Sequence, residues 1–350
     1  MISAAASLST VANKGATPAP DQPPTQSTGN IPQRPLGRTE ATVSALGMGG
    51  HHLGSLPTIG EAANLVHEAI DGGINFFDNC WEYHNGRAEA WLGTALKGRR
   101  DRVFLMTKVC THGRGGELGL RMLEQSLRRL QTDHLDLWQI HGIVYDNDPE
   151  LAYAKGGIVE ALDKAKQQGK TRFVGFTGHK DPTIHLKMLQ LGYAFDTVQM
   201  PLNPFDWHFF SFEQQVLPEA NHRGIGVLGM KSFSGTGDPI KRGVVTAEQA
   251  LRYAMSLPVA TTISGMDSAD VLRQNLKVAQ GFQPMSPGEM QALRDQCKPH
   301  AGDGHLELYK VSLKFDNPET RQPHGFPIDM TQMEVKEMLN PGSGALYRPK

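Results

Sequence analysis

The chain has 350 residues, with 35 lysines and arginines against 36 aspartates and glutamates and a net charge of −1. That balance supplies no basic field for nucleic acid or an anionic membrane surface, and no run approaches the roughly 18 apolar residues that a spanning helix needs. The three cysteines, Cys80, Cys110 and Cys297, show neither metal-ligand spacing nor an even disulfide framework.

Residues 1–34 are rich in Ala, Thr, Pro and Gln, a composition that cannot bury enough apolar surface to order itself. They are expected to form a disordered leader. Their small residues resemble the tail of an export signal, but a basic start and a sufficient apolar stretch are missing. A cytoplasmic location is therefore expected, with export the alternative if the start lies inside a longer signal peptide. From Val43 onward short apolar runs alternate with amphipathic segments, the pattern of a parallel sheet covered by helices. Strands are expected at 43–48, 74–78, 103–108, 135–140, 172–176, 196–199, 225–229 and 260–264. Helices are expected near 59–71, 88–97, 117–130, 157–168, 183–190, 212–222, 247–256 and 268–280.

Thr58 with Glu61 and Thr246 with Gln249 read as capping boxes, and Gly72, Gly98, Gly169 and Gly224 stand where helices should stop. Eight such units closing on themselves predict a (β/α)8 TIM barrel over residues 35–285, since an open sheet would leave two edges. A doubly wound sheet is the runner-up, without a Gly-x-Gly-x-x-Gly after its first strand. Residues 286–350 form a C-terminal extension: a helix from Ser286 to Gln296, then a Gly-, Pro- and His-rich tail carrying Tyr309, Phe315, Phe326 and Tyr347. Folding back over the barrel and remaining a surface extension are both open for this tail.

Asp78, Lys108 and His141 each close an expected strand, and Tyr83 follows Asp78 by five residues. Carboxyl ends of parallel barrel strands converge on one rim, where barrels do their chemistry. Alone, each residue reads as a turn former or a solvent-reaching side chain. Together, at successive strand ends, they make a proton-donating set for a carbonyl. Reduction puts a hydride on carbon and a proton on oxygen, and no side chain supplies the hydride. A tyrosine near its reference pKa of about 10 is a weak donor at neutral pH. The Lys108 ammonium is expected to lower that pKa, Asp78 to hold Lys108, and His141 to donate a hydrogen bond to the substrate oxygen.

The stretch Gly73–Asp78, then Tyr83, Gly86-Arg87-Ala88-Glu89 and Leu92-Gly93, with Lys108 in Leu-Met-Thr-Lys and His141 in Asp-Leu-Trp-Gln-Ile-His, resembles the aldo-keto reductase family. The likeness continues through Lys170–Gly175, Gln199 with Asn203, and Ile263-Ser264-Gly265 to Asn275, covering roughly 35–282. It implies a barrel that binds a nicotinamide cofactor and reduces an aldehyde or ketone to an alcohol, with Tyr83 as general acid. It also implies cofactor contacts at Gly49, Asp78, Thr177, His179, Gln199, Met230, Lys231, Ser264, Gly265, Arg273, Gln274 and Asn275. Thr177 and His179 stand where the family usually carries Ser-Asn. The loop Gly265-Met266-Asp267-Ser268 holds an acid where a base for the 2′-phosphate is usual, so Arg273 is the candidate for that phosphate and Asp267 for a ribose hydroxyl. NADP is expected, with NAD the alternative.

The substrate is expected to be a small carbonyl compound touching Trp81, Tyr83, His141 and Trp207, with no nucleic-acid or membrane partner; oligomeric state is not readable. Two other classes compete with this reading. A non-catalytic nicotinamide-binding sensor or regulatory subunit is allowed because fold does not fix function. A metal-dependent barrel hydrolase could use His51-His52 and His112, but adjacent residues point in different directions and a His-x-His pair is absent.

Overall fold

A computed structural model describes residues 30–110 and 114–312. His112, Phe315, Phe326, Tyr347 and most of the expected leader lie outside them. The strands are β1 (Gln33–Pro35), β2 (Thr42–Ser44), β3 (Leu46–Gly49), β4 (Phe76–Asp78), β5 (Phe104–Val109), β6 (Leu135–Ile140), β7 (Thr171–Thr177), β8 (Thr197–Pro201), β9 (Gly226–Met230) and β10 (Thr261–Gly265). Strands β3 to β10 run parallel and close in the order β10-β3-β4-β5-β6-β7-β8-β9, the eight-stranded barrel that the alternation implies.

The helices are α1 (Ile59–Asp71), α2 (Arg87–Ala95), α3 (Gly116–Leu130), α4 (Asp148–Tyr153), α5 (Ile158–Gln167), α6 (Pro182–Gln190), α7 (Phe212–His222), α8 (Asp238–Lys241), α9 (Ala247–Ser256), α10 (Ala269–Gln280), α11 (Pro287–Cys297) and α12 (Leu308–Val311). Thr58 and Thr246 make their capping boxes at α1 and α9, as the spacing implies. The short helices α4, α8 and α12 are additions to the expected set, because segments this brief carry little periodicity.

The expected strand at 43–48 is two strands. β1 and β2 form an antiparallel hairpin, and the chain turns at Ala45 into barrel strand β3. Ser44 makes that turn, donating from Oγ to Leu46 O at 2.7 Å and from its backbone N–H to Asn75 Oδ1 at 2.7 Å. β1 also begins inside the segment assigned by composition to the leader, and Ile31 before it is buried.

The hairpin plugs the amino end of the barrel. Leu36, Ala41 and Val43 pack on Phe76, Phe104, Met106, Leu137, Phe173, Leu228, Ala260 and Ile263. At the hairpin tip Gly37 has φ +57°, and a Cβ there would lie 2.3 Å from Gly226 N, so no other residue fits. With one end sealed by apolar contact, polar side chains collect at the other. A second, larger apolar layer fills the space between sheet and helices. Among the described residues no helix is long and apolar enough to cross a membrane.

Candidate active site

The carboxyl ends of β4, β5 and β6 bring Asp78, Lys108 and His141 to one rim. Lys108 is buried and its Nζ forms an ion pair with Asp78. The same ammonium donates to Asn79 O at 2.7 Å and lies 5.1 Å from the centre of the Tyr83 ring. The His141 imidazole stands nearly perpendicular to that ring, centroids 6.0 Å apart.

Tyr83 opens a tight turn, Tyr83–Gly86, in which His84, Asn85 and Gly86 all have positive φ. The following Gly-Arg-Ala-Glu segment holds this turn in place. Buried Glu89 accepts from Thr107 Oγ1 at 2.6 Å and from Arg129 Nη1 at 3.1 Å. Arg129 also donates to Trp81 O at 2.9 Å, and a Cβ on Gly86 would collide with its guanidinium. Burial pushes the Glu89 carboxyl above its usual range, and its hydrogen bonds to Thr107 and Arg129 oppose that shift. The motif is thus a clamp that aims Tyr83.

The Tyr83 phenol is not lowered, as the ammonium alone would dictate, but raised well above its ordinary value. Burial is the main cause, followed by the charges of Asp78, Cys80 and Glu82. Lys108 is one cation already engaged by a carboxylate, so it does not outweigh the acids around it.

Further residues complete the rim without having been read from sequence in this role. The His51 ring meets Tyr83 edge-on at 5.1 Å and lies 4.7 Å from His84 and 5.5 Å from His52. Desolvation and neighbouring positive charges push His51 down, so it stays neutral at pH 7. The pair His51-His52 after the first barrel strand was the available signal, and the two rings join one cluster despite being adjacent. Glu82 Oε1 and Cys80 Sγ both approach His141 Nδ1, at 3.0 and 3.1 Å.

The opposite half of the rim carries most of the candidate cofactor residues. Thr177 and Gln199 pair across β7 and β8, both buried. Gln199 Nε2 reaches Met230 Sδ at 3.6 Å, while its Oε1 is buried with no hydrogen-bond partner in the protein. Gly49 pairs with both Asp78 and Gly265 across the sheet. His52 packs so closely on Gly265 that a Cβ there would lie 2.3 Å from the imidazole. Asn275 Nδ2 donates to Ser264 Oγ at 3.1 Å, both buried. Lys231, at φ +56°, places its ammonium 5.1 Å from the Tyr309 ring, and His179 meets the same ring edge-on at 6.0 Å.

Three positions are engaged elsewhere. Arg273 is held by Glu68 of α1 through two bonds, 2.6 and 3.1 Å, and Gln274 beside it is exposed. Trp81 donates to Gln125 of α3 at 2.7 Å beneath Arg129. Trp207 lies 3.7 Å under the Arg294 guanidinium.

Tyr309 belongs to the C-terminal extension, which folds back on the barrel here. Lys310 is fully buried, donating to Asp206 at 2.6 Å, Glu307 at 3.0 Å and Phe209 O at 2.7 Å. Asn203 donates to Glu307 at 3.1 Å and to the Tyr309 hydroxyl at 3.0 Å. This clamp ties the segment 306–311 to the loop after β8.

The model of the Aldo/keto reductase family matches residues 45–237. The chain is 26% identical over 314 residues to the uncharacterized oxidoreductase YqkF of Bacillus subtilis, covering 78% of this chain and 99% of that protein. Among solved structures it is similar to the holo form of the aldo-keto reductase AKR11C1 from Bacillus halodurans, with a TM-score of 0.67 and 26% identity over 79% of this chain and all of that one. An aldo-keto reductase from Klebsiella pneumoniae, solved with NADP and acetate, shares the fold at a TM-score of 0.63 and 24% identity, over 76% of this chain and 95% of that one. The match covers the strands that carry Asp78, Lys108 and His141, and the chain belongs to the aldo/keto reductase family of oxidoreductases.

Proposed function

We propose that this protein reduces an aldehyde or ketone to an alcohol with hydride from NADPH, Tyr83 giving the proton. The observation that carries this reading is the convergence of Tyr83, the buried Lys108–Asp78 pair and His141 on one rim. The cofactor supplies the hydride when bound. Gln199 Oε1 suits it, because a buried acceptor without a partner is costly and a carboxamide N–H would satisfy it. The loops after β9 and β10, with Met230, Lys231, Ser264 and Gly265, suit its phosphates. The relative from Klebsiella pneumoniae solved with NADP favours NADP as the cofactor. Arg273, once it left Glu68, would be the residue to hold its 2′-phosphate, and Asn275 and Gln274 would be those to hold its adenine.

Each side chain then has one task. The Tyr83 phenol keeps its proton throughout the neutral range and, although its raised pKa weakens it as a donor, releases it to the more basic alkoxide forming on the substrate. Lys108 steadies the phenolate left behind, and Asp78 fixes Lys108. His141, when both ring nitrogens carry protons, gives Nδ1–H to Glu82 and its far N–H to the substrate oxygen, where negative charge grows.

The test is NADPH oxidation by wild type and Tyr83→Phe against a panel of aldehydes and ketones. Turnover should fall by about 10²–10⁴-fold in the variant while cofactor binding persists. Equal turnover in both proteins would remove Tyr83 from the chemistry. Tight cofactor binding with no turnover on any carbonyl would leave a nicotinamide-binding sensor.

A further inference from the structure

Cys80, Glu82 and His141 are used above only as neighbours of Tyr83, yet their geometry is unusual. A sulfur at 3.1 Å and a carboxylate oxygen at 3.0 Å both approach one imidazole nitrogen, His141 Nδ1. That nitrogen has a single in-plane lobe, filled either by one proton or by one lone pair. It serves one of them at a time, and the Cys80 thiol also reaches Lys108 O at 3.5 Å. Among the described residues, these three are the one group of three or more Cys, His, Asp or Glu side chains whose ligand atoms all lie within 4.8 Å of one another.

We propose that Cys80 Sγ, Glu82 Oε1 and His141 Nδ1 form a binding site for a thiophilic divalent cation of the zinc type. Ligand atoms about 2.0–2.3 Å from a tetrahedral zinc sit roughly 3.3–3.7 Å from one another. The two close contacts are a few tenths of an ångström inside that spacing, so a small outward movement admits the ion. The donor set decides the class. One thiolate, one imidazole and one carboxylate suit zinc, whereas magnesium and calcium take oxygen shells. Three protein ligands also leave a fourth position open, the pattern of an exchangeable site rather than a closed structural one.

Access and charge agree with this assignment. The Glu82 and His141 side chains are 20% and 16% exposed, so an ion enters from the rim. The nearby ammonium of Lys108 is neutralised by Asp78. Cys80 is buried and holds its proton tightly, and the ion must displace that proton, so binding strengthens as pH rises.

The site has a consequence for the rim. A cation on Nδ1 fixes the His141 proton on its other nitrogen, the one offered to the substrate oxygen. This consequence rests on the reductase reading; the binding itself does not.

Cobalt(II) is the direct probe, because a thiolate ligand gives it a charge-transfer band and tetrahedral geometry gives strong visible bands. Titration of the full chain should show one bound cobalt with both features, displaced by zinc. Cys80→Ser should lose the charge-transfer band and the bound equivalent, and Glu82→Gln does the same by a second route if the buried serine unfolds the chain. Cys297→Ser, whose thiol lies in α11, should bind as wild type does. The proposal is overturned if wild type binds no cobalt, if the bound ion shows no thiolate band, or if Cys80→Ser binds equally. The last result would place the ion elsewhere on the chain. Cobalt binding by a protein that shows no turnover when free of metal would leave the site standing and fell only the reductase reading.

Discussion

Lys108 and Lys310 are both buried lysines, and the rim and the tail use them in opposite ways. An ammonium has three donors. Lys310 commits all three, to Asp206, Glu307 and the Phe209 carbonyl, and faces two carboxylates. Lys108 gives two, to Asp78 and the Asn79 carbonyl, and turns toward the Tyr83 ring. The surplus acid around Lys310 shows in Asp206, which burial pushes up toward neutrality despite the ammonium beside it. A saturated lysine is an anchor. One with a donor to spare is available for chemistry.

That contrast breaks most visibly at Lys108. Lys108→Met should lower turnover on carbonyls by about 10²–10⁴-fold with cofactor affinity little changed, measured by initial rates and by fluorescence titration. A loss of affinity without a loss of turnover would move Lys108 from the anchor-free class to a binding role. Lys310→Met should act on stability instead. It leaves buried Glu307 without its ammonium and drives Asp206, already pushed up, to take a proton; breaking such a buried cluster costs about 3–5 kcal/mol, read as a lower urea midpoint. Turnover per folded molecule should fall less than in Lys108→Met, and an unchanged midpoint would mean that the tail is not anchored there.

A third outcome concerns pH. His185 is fully buried between Phe176 and Phe212, and desolvation pushes its pKa down to about 3. The unfolded chain takes up this proton below about 6.5, while the folded chain resists it. Stability is therefore complete above about 6.5 and is lost as pH falls toward 3, by up to about 1.4 kcal/mol per pH unit. His185→Gln should flatten the melting temperature over that window. The smallest effect belongs to Arg273→Ala. Its exposed pair with Glu68 is screened by water and contributes little, so the melting point barely moves, while KM for NADPH should rise about tenfold relative to NADH if the guanidinium meets the 2′-phosphate.

The barrel was legible because each β/α unit carries its own signals: an apolar run, a cap such as Thr58, a stop such as Gly72. The rim residues Asp78, Lys108 and His141 were legible for the same reason, since a strand end is a local fact. What escaped depends on pairs far apart in the chain. Cys80 meets His141 across 61 residues, and Lys310 meets Asp206 across 104; no periodicity encodes either. The division of residues 43–48 into β2 and β3 was hidden differently, because no Gly or Pro marks the turn at Ala45. The direction of the Tyr83 shift was misjudged because sequence shows the ammonium but not how many carboxylates share its neighbourhood.

The distance between Asp206 and Lys310 also sets an order of events during synthesis. Chains emerge amino end first at about 5–20 residues per second, so Lys310 follows Asp206 by roughly 5–20 s. By then all eight barrel strands have been made, since β10 ends at Gly265. Throughout that interval Asp206 lacks Lys310, and Asn203 lacks Glu307 and Tyr309, although both keep their bonds to nearby backbone groups. The barrel can close well before the loop after β8 is locked, and a chain released without its last fifty residues would carry the strands of the Asp78–Lys108–His141 rim intact beside an unfastened wall.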